Sequence, residues 1–516
     1  MGTNKRTRQK VVKVYSCFNE GPVGVESEIE ISITPGIPTF EVIGLCDSVI
    51  KESRGRIQAA LISSGYSMPR GHIVVSISPA YLRKSGSSFD LPIAIGILLA
   101  SSQIEVDREK KIYAEGELSL IGYVNGAPGA AARLKAASVE RSKYDYFIIP
   151  KAEVNAAAVA ELKGVSVSHV TDLLDVFNDV TQEEVFEGNP ISIEDDDGLD
   201  FSSVKGQPKA MRALLIAACG FHSVLLLGSP GCGKTTAANV IRGIMPPLNK
   251  TEMADVYTVK ESAGITTDEG RPLSLSAKRP IRRIYPGMSV SRVLGSVKNS
   301  TPGELVLANH GIVLADEICE FPIGIIDCLR LPIEEHVIRM QKYGKDFEFP
   351  AEFLFVGLGN PCRCGKFYEV GNKCICSPQI RRRYMNKISG PFADRIDLFT
   401  EMRSLQGNEM FELTARDEKQ NLMYKEIVRN TWEIQKNRYR GMSYKFNGNV
   451  NTIDAELIRA SSDVQKYAAE VSEKSGFSAR GYTKLLRVGR TIADMNEQVD
   501  ISISDIAEAA MYRYRV

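Results

Sequence analysis

The chain has 516 residues, 43% hydrophobic and 25% charged, enough to bury several cores, and at about 150 residues per domain it should form roughly three or four units. One small domain is excluded. Its 64 basic and 63 acidic side chains leave a formal net charge of +1, so bulk charge announces neither a nucleic-acid coat nor a membrane-surface binder, and any polyanion must be met locally.

The opening MGTNKRTRQKVVKVYS is basic but has no apolar signal core, and no run of about 18 apolar residues follows, so the chain reads as cytoplasmic with no membrane partner. Residues 1–180 alternate strand and helix signals. In VESEIEISI, Val25, Ile29, Ile31 and Ile33 alternate with Glu26, Glu28 and Glu30, which predicts a strand, and IKESRGRIQAALISSG predicts an amphipathic helix ending in glycine. HIVVSIS and YDYFIIP read as buried strands. Residues 181–202, with the acidic run Glu194 to Asp197, read as an interdomain linker. Residues 203–405 carry the apolar strands SVLLLG, GIVLAD and FLFVGLGN, each followed by helix or loop signals, as in a parallel α/β sheet. Residues 406–516 are helical in pattern, with TIDAELIRASSDVQKYAAEVSEKSG as the clearest piece.

GSPGCGKT, Gly228 to Thr235, fits the phosphate-loop pattern, and it stands between a strand and the helix TAANVIRGI as that pattern requires. Gly228, Ser229, Pro230, Gly231, Cys232 and Gly233 would wrap a polyphosphate of ATP, Lys234 would reach its β and γ phosphates, and Thr235, followed by Thr236, would ligate magnesium. Strand GIVLAD ends in Asp316, a magnesium partner, and Glu317, a base to polarise the attacking water. Asn360 ends FLFVGLGN and could orient that water. Arg395 in PFADRIDLF and Arg480 in FSAR offer guanidinium groups for charge developing on phosphate oxygens; each alone would more often be a surface ion pair.

In order and spacing these residues resemble the AAA+ motor: Walker A, Walker B, sensor 1, arginine finger and sensor 2. VKGQPKAMRALLIAACGFHSVLLLG, TPGELVLANHGIVLADEICEFP, NPCRCG and ISGPFADRIDLF resemble the magnesium-chelatase-like branch known as the ComM or YifB family. FSARGYTKLLRVGRTIADM resembles its C-terminal helical domain, and PTFEVIGLCDSVIKESRGRIQAALISSGY and SSFDLPIAIGIL its first domain. The resemblance covers nearly the whole chain. It implies an α/β P-loop NTPase core with a C-terminal helical lid, preceded by an α+β domain like the Lon protease and ribosomal protein S5 domain 2. It further implies a hexameric ring with ATP and Mg2+ between subunits, Arg395 reaching a neighbour's phosphate, and a helicase acting on DNA in branch migration. One departure is RPIRRIYPGMSV, residues 279–290, where the family usually has a histidine-bearing segment.

Matched to Lon, RKSGSSFDLPIA puts Ser88 at the nucleophile position, while GELSLIGYVNGAPGAAARLKAA puts Ala131 where the lysine of the Ser–Lys dyad should be, with Arg133 and Lys135 displaced. A serine needs a nearby base, so the domain reads as a scaffold or partner-binding module unless Lys135 reaches round.

Cys362, Cys364, Cys374 and Cys376 form two CxC pairs within residues 362–376, suited to tetrahedral Zn2+ on a short hairpin or, alternatively, to a loop of reduced or partly oxidised thiols. Arg381, Arg382, Arg383 and Lys387 beside Tyr384 fit phosphate-backbone contact, or a solvated basic face or subunit ion pairs. HVIRMQKYGKDFEFPAEF predicts a hairpin with YGKD at its tip; relatives project one into the ring channel, which makes Lys342 and Lys345 candidates to touch DNA. The leading expectation is an ATP-driven hexameric DNA motor. The rival is a chelatase-like or protein-remodelling ATPase that does not act on DNA.

Overall fold

A computed structural model describes residues 11–513 except 108, 188–199, 205, 266, 269–270, 274, 297–300, 343–344, 370, 372–373, 389, 406–417, 451–453 and 455. The first body is an eight-stranded mixed sheet. Its strands are β1 (Val11–Glu20), β2 (Val23–Thr34), β3 (Thr39–Ile43), β4 (His72–Ile77), β5 (Ile112–Ala114), β6 (Tyr146–Pro150), β7 (Lys163–Val167) and β8 (Glu184–Val185), in the order β8-β7-β6-β5-β1-β2-β4-β3. The register sets Val14 against Ile29, so Ile29 and Ile31 face the core while the intervening glutamates face outward, as the alternation predicts. Its longer helices are α1 (Ser48–Ser63), α2 (Asp90–Ala100) and α3 (Ala130–Val139). Helix α2 is apolar nearly all round because it lies between the sheet and α1.

Strand β8 falls inside the segment expected as linker. It pairs antiparallel with β7 and is followed by buried Phe186, so the first sheet continues past residue 181. On the other side of the acidic run, itself outside the described residues, Phe201 is buried in the next core and its N–H donates to Asn421 Oδ1 at 3.1 Å.

The second body is a five-stranded parallel sheet of β9 (Val224–Gly228), β10 (Ile281–Ile284), β11 (Ile312–Ala315), β14 (Leu354–Gly359) and β15 (Leu398–Met402), ordered β10-β11-β14-β9-β15. Strands β9, β11 and β14 are buried on both faces and therefore read as continuous apolar runs. Helices α4 (Pro208–Gly220), α5 (Lys234–Val240), α6 (Lys250–Ser262) and α7 (Ile323–Glu335) flank the sheet, and α6 starts in a capping box of Asn249 and Glu252. Between α7 and β14 stands the expected hairpin, β12 (Val337–Lys342) with β13 (Lys345–Pro350), Lys342 opposite Lys345. The turn residues 343–344 and the side chains of Lys342 and Lys345 lie outside the described part. A short helix, α8 (Pro378–Met385), follows the cysteine segment.

The C-terminal helices are α9 (Glu418–Arg438), α10 (Ser462–Lys474), α11 (Ala479–Met495) and α12 (Ile503–Ala510). The boundary expected at 406 falls outside the described residues. The helical stretch expected over 452–476 shortens to α10, because Arg459 adopts a left-handed φ of 54° and Ser461 caps the helix through Val464 N–H. Helices α9 and α11 pack on α4, and α11 buries Lys484, Arg487, Arg490, Thr491 and Asp494 at the junction. Among the described residues no helix is long and apolar enough to cross a membrane.

Candidate functional site

The phosphate loop leaves the C-terminal end of β9 and enters α5. Gly231 and Gly233 turn it with φ of 78° and 89°, left-handed values that glycine adopts without strain, and a Cβ at either would point into open space. Lys234 Nζ donates to the carbonyls of Gly228 at 2.7 Å and Ser229 at 2.9 Å and lies 3.3 Å from Asn360 Oδ1. Burial lowers its pKa, so the ammonium gains from an anion that replaces those carbonyls. Ser229 is buried with no hydrogen-bond partner for its Oγ among the described residues, Thr235 is half-buried and Thr236 exposed. This open, amide-lined cradle with a half-buried lysine fits a polyphosphate. Cys232 is buried in the core and burial raises its thiol pKa, which argues against a reactive thiolate.

Asp316 and Glu317 follow β11, two strands from β9, and Asn360 follows β14 between them. Asp316 N–H donates to Ile284 O at 3.0 Å, and Asp316 Oδ1 accepts Glu317 N–H at 3.0 Å. Glu317 is exposed and sits at φ 54°, a left-handed backbone that costs a non-glycine residue about 1 kcal/mol or more and here turns the carboxylate out of the strand line. Lys234, Asp316, Glu317 and Asn360 thus converge at one edge of the sheet. Thr235 with Asp316 would hold Mg2+, which when bound would neutralise phosphate charge.

The two arginines lie elsewhere. Arg395 stands three residues before the start of β15, and its carbonyl accepts Ser223 Oγ at 3.0 Å and Lys484 Nζ at 2.7 Å. Ser223 precedes β9, so Arg395 is at the N-terminal edge of a parallel sheet whose C-terminal edge carries Lys234. Five strand residues put roughly 16 Å between the edges. Arg480, in the first turn of α11, is on the same side: Arg395 Nε lies 3.2 Å and Arg480 Nη2 3.5 Å from the carboxylate of Glu334. Neither arginine completes the site of its own chain.

All four Sγ atoms of Cys362, Cys364, Cys374 and Cys376 lie within 4.8 Å of one another. Three contacts, Cys362 to Cys364 and each of these to Cys374, measure 3.4, 3.6 and 3.6 Å, close to the ~3.8 Å sulfur spacing of tetrahedral zinc. The donor set fits Zn2+. This loop starts two residues after Asn360 and approaches the phosphate loop so closely that a Cβ on Gly365 would meet Pro230 Cδ at 2.5 Å. Arg381 donates to Cys376 O at 2.9 Å and stacks on Phe367, whereas Arg382 and Arg383 are exposed and Lys387 half-buried. Tyr384 packs into the core beside Cys319 and Glu320, so its ring is not a free stacking platform.

In the first body Ser88 is buried, and the charged groups near its expected partners are committed. Arg133 is buried with Glu115 at 2.7 Å and Glu153 at 3.3 Å; Lys135 pairs with Asp255; Lys84 donates to Pro79 O. Asp255 leads to His310 at 3.0 Å, His310 to Glu352 at 3.2 Å, and Glu352 to Lys445 at 3.0 Å. This chain of charges ties all three bodies together. In residues 279–290, Arg279 is buried, donating to Pro246 O and His310 O and facing the single tryptophan, Trp432, while Arg283, Tyr285 and Val290 are exposed.

Residues 200–410 match the magnesium chelatase ChlI subunit family, residues 29–153 a second ChlI subunit family and residues 419–513 the ChlI C-terminal family. The chain is 32% identical over 510 residues to competence protein ComM of Haemophilus influenzae, spanning 98% of this chain and 97% of that one. It belongs to the ComM/YifB family of magnesium-chelatase-like AAA+ proteins. YifB of Escherichia coli, another member, is 30% identical over 94% of this chain and 93% of its own. The 38 kDa magnesium-chelatase subunit of Cereibacter sphaeroides is 26% identical over 174 residues, 31% of this chain and 52% of that protein. The site therefore stands on an AAA+ ATPase scaffold. Glu334, Asp397, Lys484 and the His310 chain were invisible in the ComM/YifB sequence pattern because their partners come from distant segments.

Proposed function

We propose that the protein is an ATP-driven ring motor, a hexamer in keeping with its family, that acts on DNA as a ComM-like helicase promoting branch migration. The observation that carries the reading is the separation of Lys234, Asp316 and Glu317 from Arg395 and Arg480 on opposite edges of one sheet. A complete hydrolytic site needs both sets, so it forms where the arginine edge of one subunit meets the phosphate-loop edge of the next. Glu317 then polarises the attacking water, Asn360 orients it, Lys234 steadies the β and γ phosphates, and Arg395 and Arg480 neutralise charge on the transferred phosphoryl group.

DNA as the partner is supported by the full-length likeness to a protein named for competence, by the β12–β13 hairpin and by exposed Arg382 and Arg383 on α8. The test is the ATPase rate with single-stranded, forked and four-way DNA. Stimulation that falls with added salt supports the helicase reading; an unchanged rate with all three favours a remodelling ATPase whose partner is a protein. Zn2+ in the four-cysteine knuckle belongs to the same reading, as a clasp between Asn360 and Pro230. One zinc per chain is expected, and less than about one per two chains would retire it. The first body, with Ala131 at the position matched to the lysine of a Ser–Lys dyad, serves as a scaffold.

A further inference from the structure

Arg395 and Arg480 converge on a single carboxylate. Glu334 Oε2 lies 3.2 Å from Arg395 Nε and Glu334 Oε1 lies 3.5 Å from Arg480 Nη2, so each oxygen faces one guanidinium. An isolated surface pair of this kind would contribute little. Three features distinguish this one. Arg395 is only 18% exposed and is further held by its donation to Pro391 O at 2.7 Å. Glu334 stands in the last turn of α7, a 13-residue helix, so a regular element and not a loop sets the position of the carboxylate. A cavity of about 330 Å3 opens beside the group, lined by Glu334, His336, Arg395, Arg480, Lys484 and Arg487.

The charge around this cavity is incomplete. Lys484 and Arg487 share the one carboxylate of Asp397 at 2.5 and 3.0 Å, as Arg395 and Arg480 share that of Glu334, so among these six groups cations outnumber carboxylates. The excess is positive and suits an incoming anion. Free arginines would each sample many rotamers, and that disorder would have to be overcome every time a phosphate arrived.

We propose that Glu334 is a positioning residue that holds Arg395 and Arg480 side by side and aimed outward, ready for the γ-phosphate bound by the neighbouring subunit. This rests on the reading that the ATP site lies between subunits. Glu334 does not touch the nucleotide; it acts through the two arginines. Its removal therefore lowers turnover at the neighbour's site and leaves nucleotide affinity, set by Lys234 and its loop, unchanged.

The test uses mixed full-length rings. Subunits carrying Arg395→Ala keep an intact phosphate loop, and subunits carrying Lys234→Ala keep intact arginines, so activity in the mixture reports interfaces where the second type serves the first. Glu334→Gln is placed in one type or the other. In the Lys234→Ala subunits it should lower kcat about 10-fold with KM for ATP unchanged, and Glu334→Asp, which restores the charge on a shorter stem, should recover part of the loss. In the Arg395→Ala subunits it should have far less effect, because those subunits serve no neighbour. An equal loss in both placements marks a merely structural role and overturns the proposal, as does an unchanged kcat in the first. If Glu334→Gln subunits do not fold, Glu334→Asp is read by the same comparison. A parent mixture with no recovered activity overturns the shared site itself, and is told apart because it contains no change at Glu334.

Discussion

The carboxylate of Glu261, at the end of α6 in the ATPase core, accepts the backbone amide of Ala131 at 2.7 Å and that of Ala130 at 3.2 Å. Ala131 is the position that the resemblance to Lon matches to that protease's lysine, and the core caps α3 there. Burial raises the pKa of Glu261, partly offset by these two amides. Glu261→Ala removes an N-terminal cap and should weaken the contact by about 1 kcal/mol. Limited proteolysis should then cut the chain between the first two bodies faster than in the parent protein; an unchanged cutting rate would contradict the contact.

Across the same junction, His310 lies between Asp255 and Glu352, which continue to Lys135 of the first body and Lys445 of the third. Burial alone would lower its pKa, but the two carboxylates prevail and raise it. Burial also opposes ionisation of Glu352, yet His310 and Lys445 hold it at about 2, and Asp255 is lowered by His310 and Lys135. A raised histidine value means that its contribution is complete below about pH 6.5 and is lost as pH rises through the folded value, each tenfold gain in proton affinity on folding being worth about 1.4 kcal/mol. The carboxylates set the opposite limit, losing theirs below about pH 4. Melting temperature should fall between pH 6 and 8, and His310→Gln should flatten that slope. A variant with the parent's slope would rule out His310 as the titrating group.

Asp397 is fully buried, where burial opposes its charge, but Lys484, Arg487 and His222 hold its pKa far below the ordinary carboxylate range. Asp397→Asn strands the buried Arg487 guanidinium beside Lys484, whose pKa burial already lowers to about 7, and should cost about 3–5 kcal/mol. Amide exchange of α11 should accelerate accordingly. A loss under about 1 kcal/mol would mean that water already reaches the pair.

For turnover, Lys234→Ala should abolish nucleotide binding, since its ammonium is the half-buried cation of the loop. Glu317→Gln should keep binding and reduce hydrolysis about 100-fold or more. Paired binding and rate measurements separate the two, and normal turnover in Glu317→Gln would remove its role as base.

The grouping of the phosphate loop with Asp316, Glu317 and Asn360 at one sheet edge was legible in the sequence because its parts are local patterns: a glycine loop between strand and helix, and acidic or amide residues ending apolar strands. The alternation in VESEIEISI likewise placed β2 correctly, since one face of that strand is buried and the other is not. Tertiary partners were not legible. Glu334 looks like one of two acidic residues ending a helix until Arg395 and Arg480 are folded against it. Strand β8 was hidden in an acidic stretch whose pairing depends on β7, a contact no local pattern encodes. In the stretch expected as one helix before α10, apolar spacing continued through Arg459, while Ser461 offered the better cap and the backbone turned there.

Hydrolysis of ATP between subunits is tested most directly by complementation. Lys234→Ala and Arg395→Ala proteins should each be inactive alone. Mixed in equal amounts, they should recover up to about a quarter of the parent rate, because that share of interfaces joins an intact phosphate loop to an intact arginine. No recovery in rings verified to contain both chains would contradict a site shared between subunits.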